Sequence, residues 1–127
     1  MKLLLDTHVF IWWDSDPAQL SQPALTALRD PANTIAFSVV SVWEMAIKRQ
    51  LGKLILRLPL SQIVAHQQAN GLQVLPVTLT HTLAVEGLPP VHKDPFDRLL
   101  AAQANVEGVD FVTADPIFAQ YPVRVLW

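Results

Sequence analysis

The sequence predicts an α/β fold with a mostly parallel sheet, on three observations. Short apolar runs alternate with helix-forming stretches along the whole chain, the pattern that successive βα units produce. Glycine and proline fall at the joints between these stretches. The 127 residues are 51% hydrophobic and 16% charged. That supplies a real core and too little charge for a disordered chain, and the length suits one domain over residues 1–127.

Leu3-Leu4-Leu5 reads as a short buried strand, and Val9 to Trp13 as a packed helix that Pro17 ends. A second helix is expected from about Ser21 to Arg29, with Pro23 tolerated in its first turn. Thr34 to Ser38 reads as the next strand. Val42 to Leu51 reads as a strong helix with Ser41 as N-cap and Gly52 as stop. Pro59 opens a further helix through Gln68, which Asn70-Gly71 closes. Leu72 to Leu75 is a third strand, and Thr80 to Glu86 a short helix ended by Gly87. Asp94-Pro95 starts a long helix reaching Val106, stopped by Gly108. Asp110 to Thr113 is a fourth strand, Asp115-Pro116 caps one more helical turn, and Val123 to Leu126 is a terminal strand.

Composition excludes several chemistries. There are no cysteines, so disulfides, cysteine–zinc sites and a cysteine nucleophile are absent. Met1 to Leu5 resembles the start of a secretory signal, but Asp6 interrupts the apolar run and no cleavage-site pattern follows. No apolar stretch approaches the roughly 18 residues that span a bilayer. A soluble cytoplasmic protein, away from the membrane, is expected. The net charge of −2 argues against a nucleic-acid binder. The distribution softens this, because four of the nine cations, Lys48, Arg49, Lys53 and Arg57, fall within ten residues. They form either a phosphate-contacting patch or a solvated helix face.

In open α/β sheets, ligands bind beyond the carboxyl ends of the strands. Asp6 directly follows the first strand, and Asp115 follows the fourth by two residues. Glu44 and Asp97 sit in the expected first turns of two helices. Acids from four elements are therefore expected to meet at one sheet edge. Carboxylates suit a hard cation such as Mg²⁺, and four crowded together without one would repel each other. Each acid also has a plainer explanation. Ser41 to Glu44 fits a capping box, Asp97 complements the dipole of a helix that Asp94 caps, and Asp115 caps a turn. Asp6 has the weakest structural alternative.

These segments resemble the PIN-domain nucleases. Leu4-Leu5-Asp6-Thr7-His8 is similar to the family's opening. Ser41 to Lys48, followed by Leu51-Gly52-Lys53-Leu54, resembles its second acidic segment. His92 to Ala104 resembles the third, and Val112-Thr113-Ala114-Asp115 the fourth. The match is collinear and spans nearly the whole chain. It is nearest to the VapC-type toxins of bacterial toxin–antitoxin pairs.

The resemblance implies a Rossmann-like α/β/α sandwich with a central, mainly parallel sheet. It implies an endoribonuclease using Mg²⁺ or Mn²⁺, a homodimer, and a cognate antitoxin that covers the site. It implies Asp6 and Asp97 as principal metal ligands, with Glu44 and Asp115 as further ligands, direct or through water. Thr113 matches the hydroxyl beside the fourth acid. Asp94, Arg98 and Lys48 are candidates for outer contacts or substrate binding.

For His8 and His92 a local contact is the plainer expectation beside a phosphate contact. For Trp12, Trp13 and Trp43 it is core or interface packing beside base stacking. The apolar segments 54–69 and 79–91 are expected to contribute to a groove for a partner helix, or else to pack as ordinary core helices. Two other readings compete with the nuclease. One is a non-catalytic PIN-like module that binds protein or RNA. The other is a phosphoacceptor receiver domain, which the chain fits poorly because no lysine ends a later strand.

Overall fold

The computed structural model describes all of residues 1–127. Five strands, β1 (Lys2–Leu5), β2 (Thr34–Ser38), β3 (Gln73–Leu75), β4 (Asp110–Val112) and β5 (Arg124–Leu126), form one sheet in the order β3-β2-β1-β4-β5. Every pairing is parallel. The three consecutive leucines of β1 explain its central place, since a strand covered on both faces carries an unbroken apolar run.

Alternation along β1 divides the core into two layers. Leu3 and Leu5 pack with Val9, Phe10, Phe37 and Met45 on one face. Leu4 packs with Val40, Leu100, Phe111 and Phe118 on the other. Helices α1 (Thr7–Ser15), α2 (Gln22–Arg29) and α4 (Leu60–Ala69) cover the first face. Helices α5 (Leu79–Ala84) and α6 (Pro95–Glu107) cover the second. Helix α3 (Val39–Gln50) contributes Val40 to one layer and Met45 to the other. The result is the expected α/β/α sandwich.

Two local expectations are corrected. Helix α3 begins at Val39, not Val42, and its N-cap is Ser38, whose Oγ accepts from Val40 N at 3.0 Å. Ser41 is therefore buried inside the first turn and caps nothing, and Glu44 lies in the second turn. Ser38 and Ser41 both suit an N-cap, and the β-branched pair Val39-Val40 between them favours helix weakly, so the later serine reads as the start in the sequence. Helix α1 likewise starts at Thr7, immediately after β1, with Asp6 as its N-cap. Segments 54–69 and 79–91 lie in different layers: Ile63 packs in the first, and Leu88 in the second.

Asp94 caps α6 as expected, accepting from Phe96 N and Asp97 N, and Gly108 closes that helix with φ 65°. Glycine occupies such a left-handed position without the strain a Cβ brings.

Candidate metal centre

The carboxyl ends of β1, β2 and β4 lie side by side, because Leu5 pairs with both Phe37 and Val112. The residues just beyond them are therefore neighbours. Asp6 leaves β1 with its backbone N donating to Val112 O at 2.9 Å. Its side chain is nearly fully buried. Oδ1 accepts from Thr7 N at 2.7 Å, and Oδ2 accepts from the Thr113 hydroxyl at 2.7 Å. Both oxygens are thus fixed in direction, and each keeps a lone pair free.

Glu44 reaches the same place from α3. Thr7 Oγ1 donates to Glu44 Oε1 at 2.7 Å and lies 2.9 Å from Ser41 Oγ. A carboxylate only accepts, so the single Thr7 proton goes to Glu44 and Ser41 donates to Thr7. The other Glu44 oxygen pairs with Lys48 Nζ, one helical turn on. That bond, with further attraction from Asp94 and Asp97, holds the Lys48 ammonium above its usual pKa. Lys48 is thus firmly cationic beside the acids.

Asp97 comes from the first turn of α6, with His92 Nε2 lying 2.8 Å from its Oδ2. Burial pushes the Asp97 carboxyl up to about 7, and the charges of Asp6, Asp94 and Glu44 add to that rise against the opposing pull of His92. Asp6 is raised too, chiefly by burial, although the bonds from Thr113 and Thr7 and the nearby His8 lower it. Three acids distant in sequence, Asp6, Glu44 and Asp97, therefore feel one another's charge.

Asp115 stands at the rim. It is exposed, its Oδ1 accepts from Ile117 N at 3.0 Å, and its own N–H donates to Thr113 Oγ1 at 3.0 Å. Thr113 thereby links the first and fourth acids through one hydroxyl. Arg98 turns away from the acids and donates to the backbone carbonyls of Val85, Pro89 and His92, clamping the loop that precedes α6. His8 and Trp43 are exposed, and Trp43 meets Phe96 edge-on at 4.9 Å between ring centroids. Trp43 thus fills no core.

A second polar group, buried in the opposite layer, holds the two acid-bearing helices together. Gln103 of α6 is fully buried. Its Nε2 donates to Pro76 O at 3.2 Å and lies 3.3 Å from His81 Nδ1, and its Oε1 accepts from Ser38 Oγ at the head of α3. The Pro76 carbonyl only accepts, which fixes the amide orientation. Neither Thr7 nor Gln103 stands out as a site residue in the sequence. The only signal for Thr7 is a hydroxyl directly after the strand-ending acid.

The donor set suits a divalent cation. Donor atoms of His92, Asp94 and Asp97 lie within 4.8 Å of one another. Burial raises the Asp97 pKa most, the charges of Asp6, Asp94 and Glu44 add to the rise, and a cation placed among them would oppose both effects. Oxygen ligands of this kind match Mg²⁺ or Mn²⁺.

Comparison with known proteins agrees with this architecture. The PIN domain family model matches residues 3–123. Ribonuclease VapC22 of Mycobacterium tuberculosis (strain ATCC 25618 / H37Rv) is 32% identical over 117 residues, covering 89% of this chain and 86% of that protein. Among solved structures, VapBC2 from Rickettsia felis bound to a DNA fragment from their promoter has a TM-score of 0.71 at 18% identity, covering 98% of this chain and 97% of that one. VapBC from Salmonella typhimurium, DNA bound, has a TM-score of 0.62 at 17% identity, over 98% and 96% of the two chains. The structural likenesses establish the shared fold, and with the family match over residues 3–123 and the VapC22 relative they show that this chain belongs to the PIN-domain family.

Proposed function

We propose that this protein is a divalent-metal-dependent endoribonuclease, the toxin of a toxin–antitoxin pair, cutting RNA phosphodiesters by attack of water. The observation that carries this reading is the meeting of buried Asp6 and Glu44 with half-buried Asp97 at the carboxyl edge of the sheet. The relationship to a VapC ribonuclease supports it.

In this reading Asp6 and Asp97 hold Mg²⁺ or Mn²⁺, and Glu44 and Asp115 complete the shell directly or through water. When bound, the ion supplies Lewis acidity to the phosphodiester and makes water a stronger nucleophile at neutral pH. The chain's own residues set the geometry. Thr113 and Thr7 N–H fix the two oxygens of Asp6, and Thr7 and Lys48 fix those of Glu44. Asp94 anchors the start of α6 and so the height of Asp97. Lys48 keeps a positive charge where a phosphate would approach. No covalent protein intermediate is required.

The same reading includes a homodimer in the cytoplasm and a protein antitoxin. The structural relatives were solved as VapBC complexes. A cavity of about 780 Å³ between α1 and residues 55–66, walled by Phe10, Ile11, Met45, Leu56 and Ile63, is the surface here best suited to an apolar antitoxin segment. No helix is long and apolar enough to cross a membrane.

The test is cleavage of total RNA by the purified protein with Mg²⁺ or Mn²⁺, beside Asp6→Asn and an EDTA control. Discrete fragments that vanish in both controls are expected. Fragments that persist in both would refute the metal-dependent reading. So would no cleavage by a preparation whose mass spectrum shows the toxin chain alone.

A further inference from the structure

Against Thr7 and Lys48 lies a recess of about 410 Å³ lined by residues of α1, of α3 and of the turn at Lys53-Leu54. Its wall carries His8, Trp12, Lys48 and Lys53, and no carboxylate lines it. That composition contrasts with the acid cluster next door, and two residues belong to both places. Thr7 and Lys48 each bond to Glu44 on one side and line the recess on the other. The recess and the acid cluster therefore share a wall.

We propose that the recess is a subsite for one unpaired nucleotide of the RNA substrate. Its base would lie against Trp12, and a phosphate flanking the cleaved bond would sit between Lys48 and Lys53. The inference rests on the ribonuclease reading above and adds to it the residues, Trp12 and Lys53, that would hold the strand beside the acids.

Trp12 is half-buried and steadied from two directions. His8 lies 5.9 Å away, tilted by 43°, and Trp127 lies 6.0 Å away, tilted by 47°. Neither neighbour stacks flat upon it, so the indole is held in place without a parallel ring covering it. An ordered aromatic beside cationic side chains is how proteins hold single-stranded nucleic acid. Lys48 gives one of its three ammonium hydrogens to Glu44 and keeps two for an anion. Lys53 is exposed and has no acidic partner within salt-bridge distance. The volume falls at the low end of the roughly 300–1,000 Å³ typical of small-molecule sites. It admits one nucleotide, and a paired base enters only after leaving its helix.

The experiment is equilibrium binding, in EDTA, of a fluorescein-labelled single-stranded RNA oligonucleotide and of its duplex, over a series of salt concentrations. The wild type should bind the single strand at least tenfold more tightly than the duplex. Lys53→Ala should weaken binding and lower the slope of log affinity against log salt by about 0.7, the value of one lost contact on a single strand. Trp12→Leu should weaken binding about tenfold with the slope unchanged, and Trp12→Phe should recover most of the loss. A structural role for Trp12 alone predicts no such division between slope and affinity. Equal binding of strand and duplex would overturn the proposal, as would unaltered affinity and slope in both Lys53→Ala and Trp12→Leu. Binding that follows these dependences without any cleavage in Mg²⁺ or Mn²⁺ would leave the subsite standing and refute the nuclease reading instead.

Discussion

Replacing Asp97 by asparagine should raise the melting temperature of the metal-free protein while ending its cleavage of RNA. Burial, followed by the charges of Asp6, Asp94 and Glu44, carries Asp97 from 3.8 to about 7. Because the folded-state value exceeds the unfolded one, the associated stability is fully present below pH 3.8. It is lost as pH rises from there and is gone once pH passes about 7. The interval from 3.8 to about 7, at about 1.4 kcal/mol per pH unit, bounds the loss at about 4 kcal/mol. The side chain keeps 17% of its exposure, and solvent screening reduces the figure to about 2 kcal/mol.

Asparagine removes that repulsion and still offers Oδ1 to His92. In a chain of this length, about 2 kcal/mol corresponds to roughly 6–10 °C. The gap should be full at pH 8.5 and about half as large at pH 5.5. Differential scanning calorimetry in EDTA at the two pH values measures it. Saturating Mn²⁺ should then reverse the order, since the wild type alone gains about 2.7 kcal/mol at a hundredfold excess over Kd. A variant that melts at or below the wild type at pH 8.5, or a gap that ignores pH, would refute this account of the cluster.

Two further substitutions probe the supports. Thr113→Val deletes the hydroxyl that donates to Asp6 and accepts from Asp115 N–H. It should lower stability by about 2–3 kcal/mol and reduce cleavage, while Thr113→Ser keeps most of both, as read by urea midpoints and RNA gels. Gln103→Leu strips partners from Ser38, Pro76 and His81 in a fully buried site. A loss of about 2–4 kcal/mol in urea unfolding is expected, and equal midpoints would show the network to be idle.

Much of the architecture could be read directly from the chain. Leu3-Leu4-Leu5 announced a central strand, Asp94-Pro95 announced the start of α6, and Gly108 its stop. The acids following β1 and β4 pointed to the correct edge of the sheet. Contacts between distant residues were harder to see. Thr7 and Glu44 are 37 positions apart, and Asp6 and Thr113 are 107 apart. No local pattern reveals that a hydroxyl will meet a particular carboxylate across such distances. The start of α3 was hidden because Val39 and Val40 favour a strand until tertiary packing decides otherwise. Segments 54–69 and 79–91 look alike in the sequence for a related reason: apolar content marks a segment for burial without saying which face of the sheet will bury it.

The place of β1 in the sheet has a consequence in time. It precedes the other four strands in the chain and lies at the centre, and one of its flanks stays open until residues 110–112 arrive to pair with it. Asp6 waits equally long for Thr113. A nascent chain that has not yet reached β4 thus holds Asp6 and Glu44 with no finished edge to gather them. The edge that carries the acids is therefore assembled from pieces made far apart in time, and it is completed only when β4 docks.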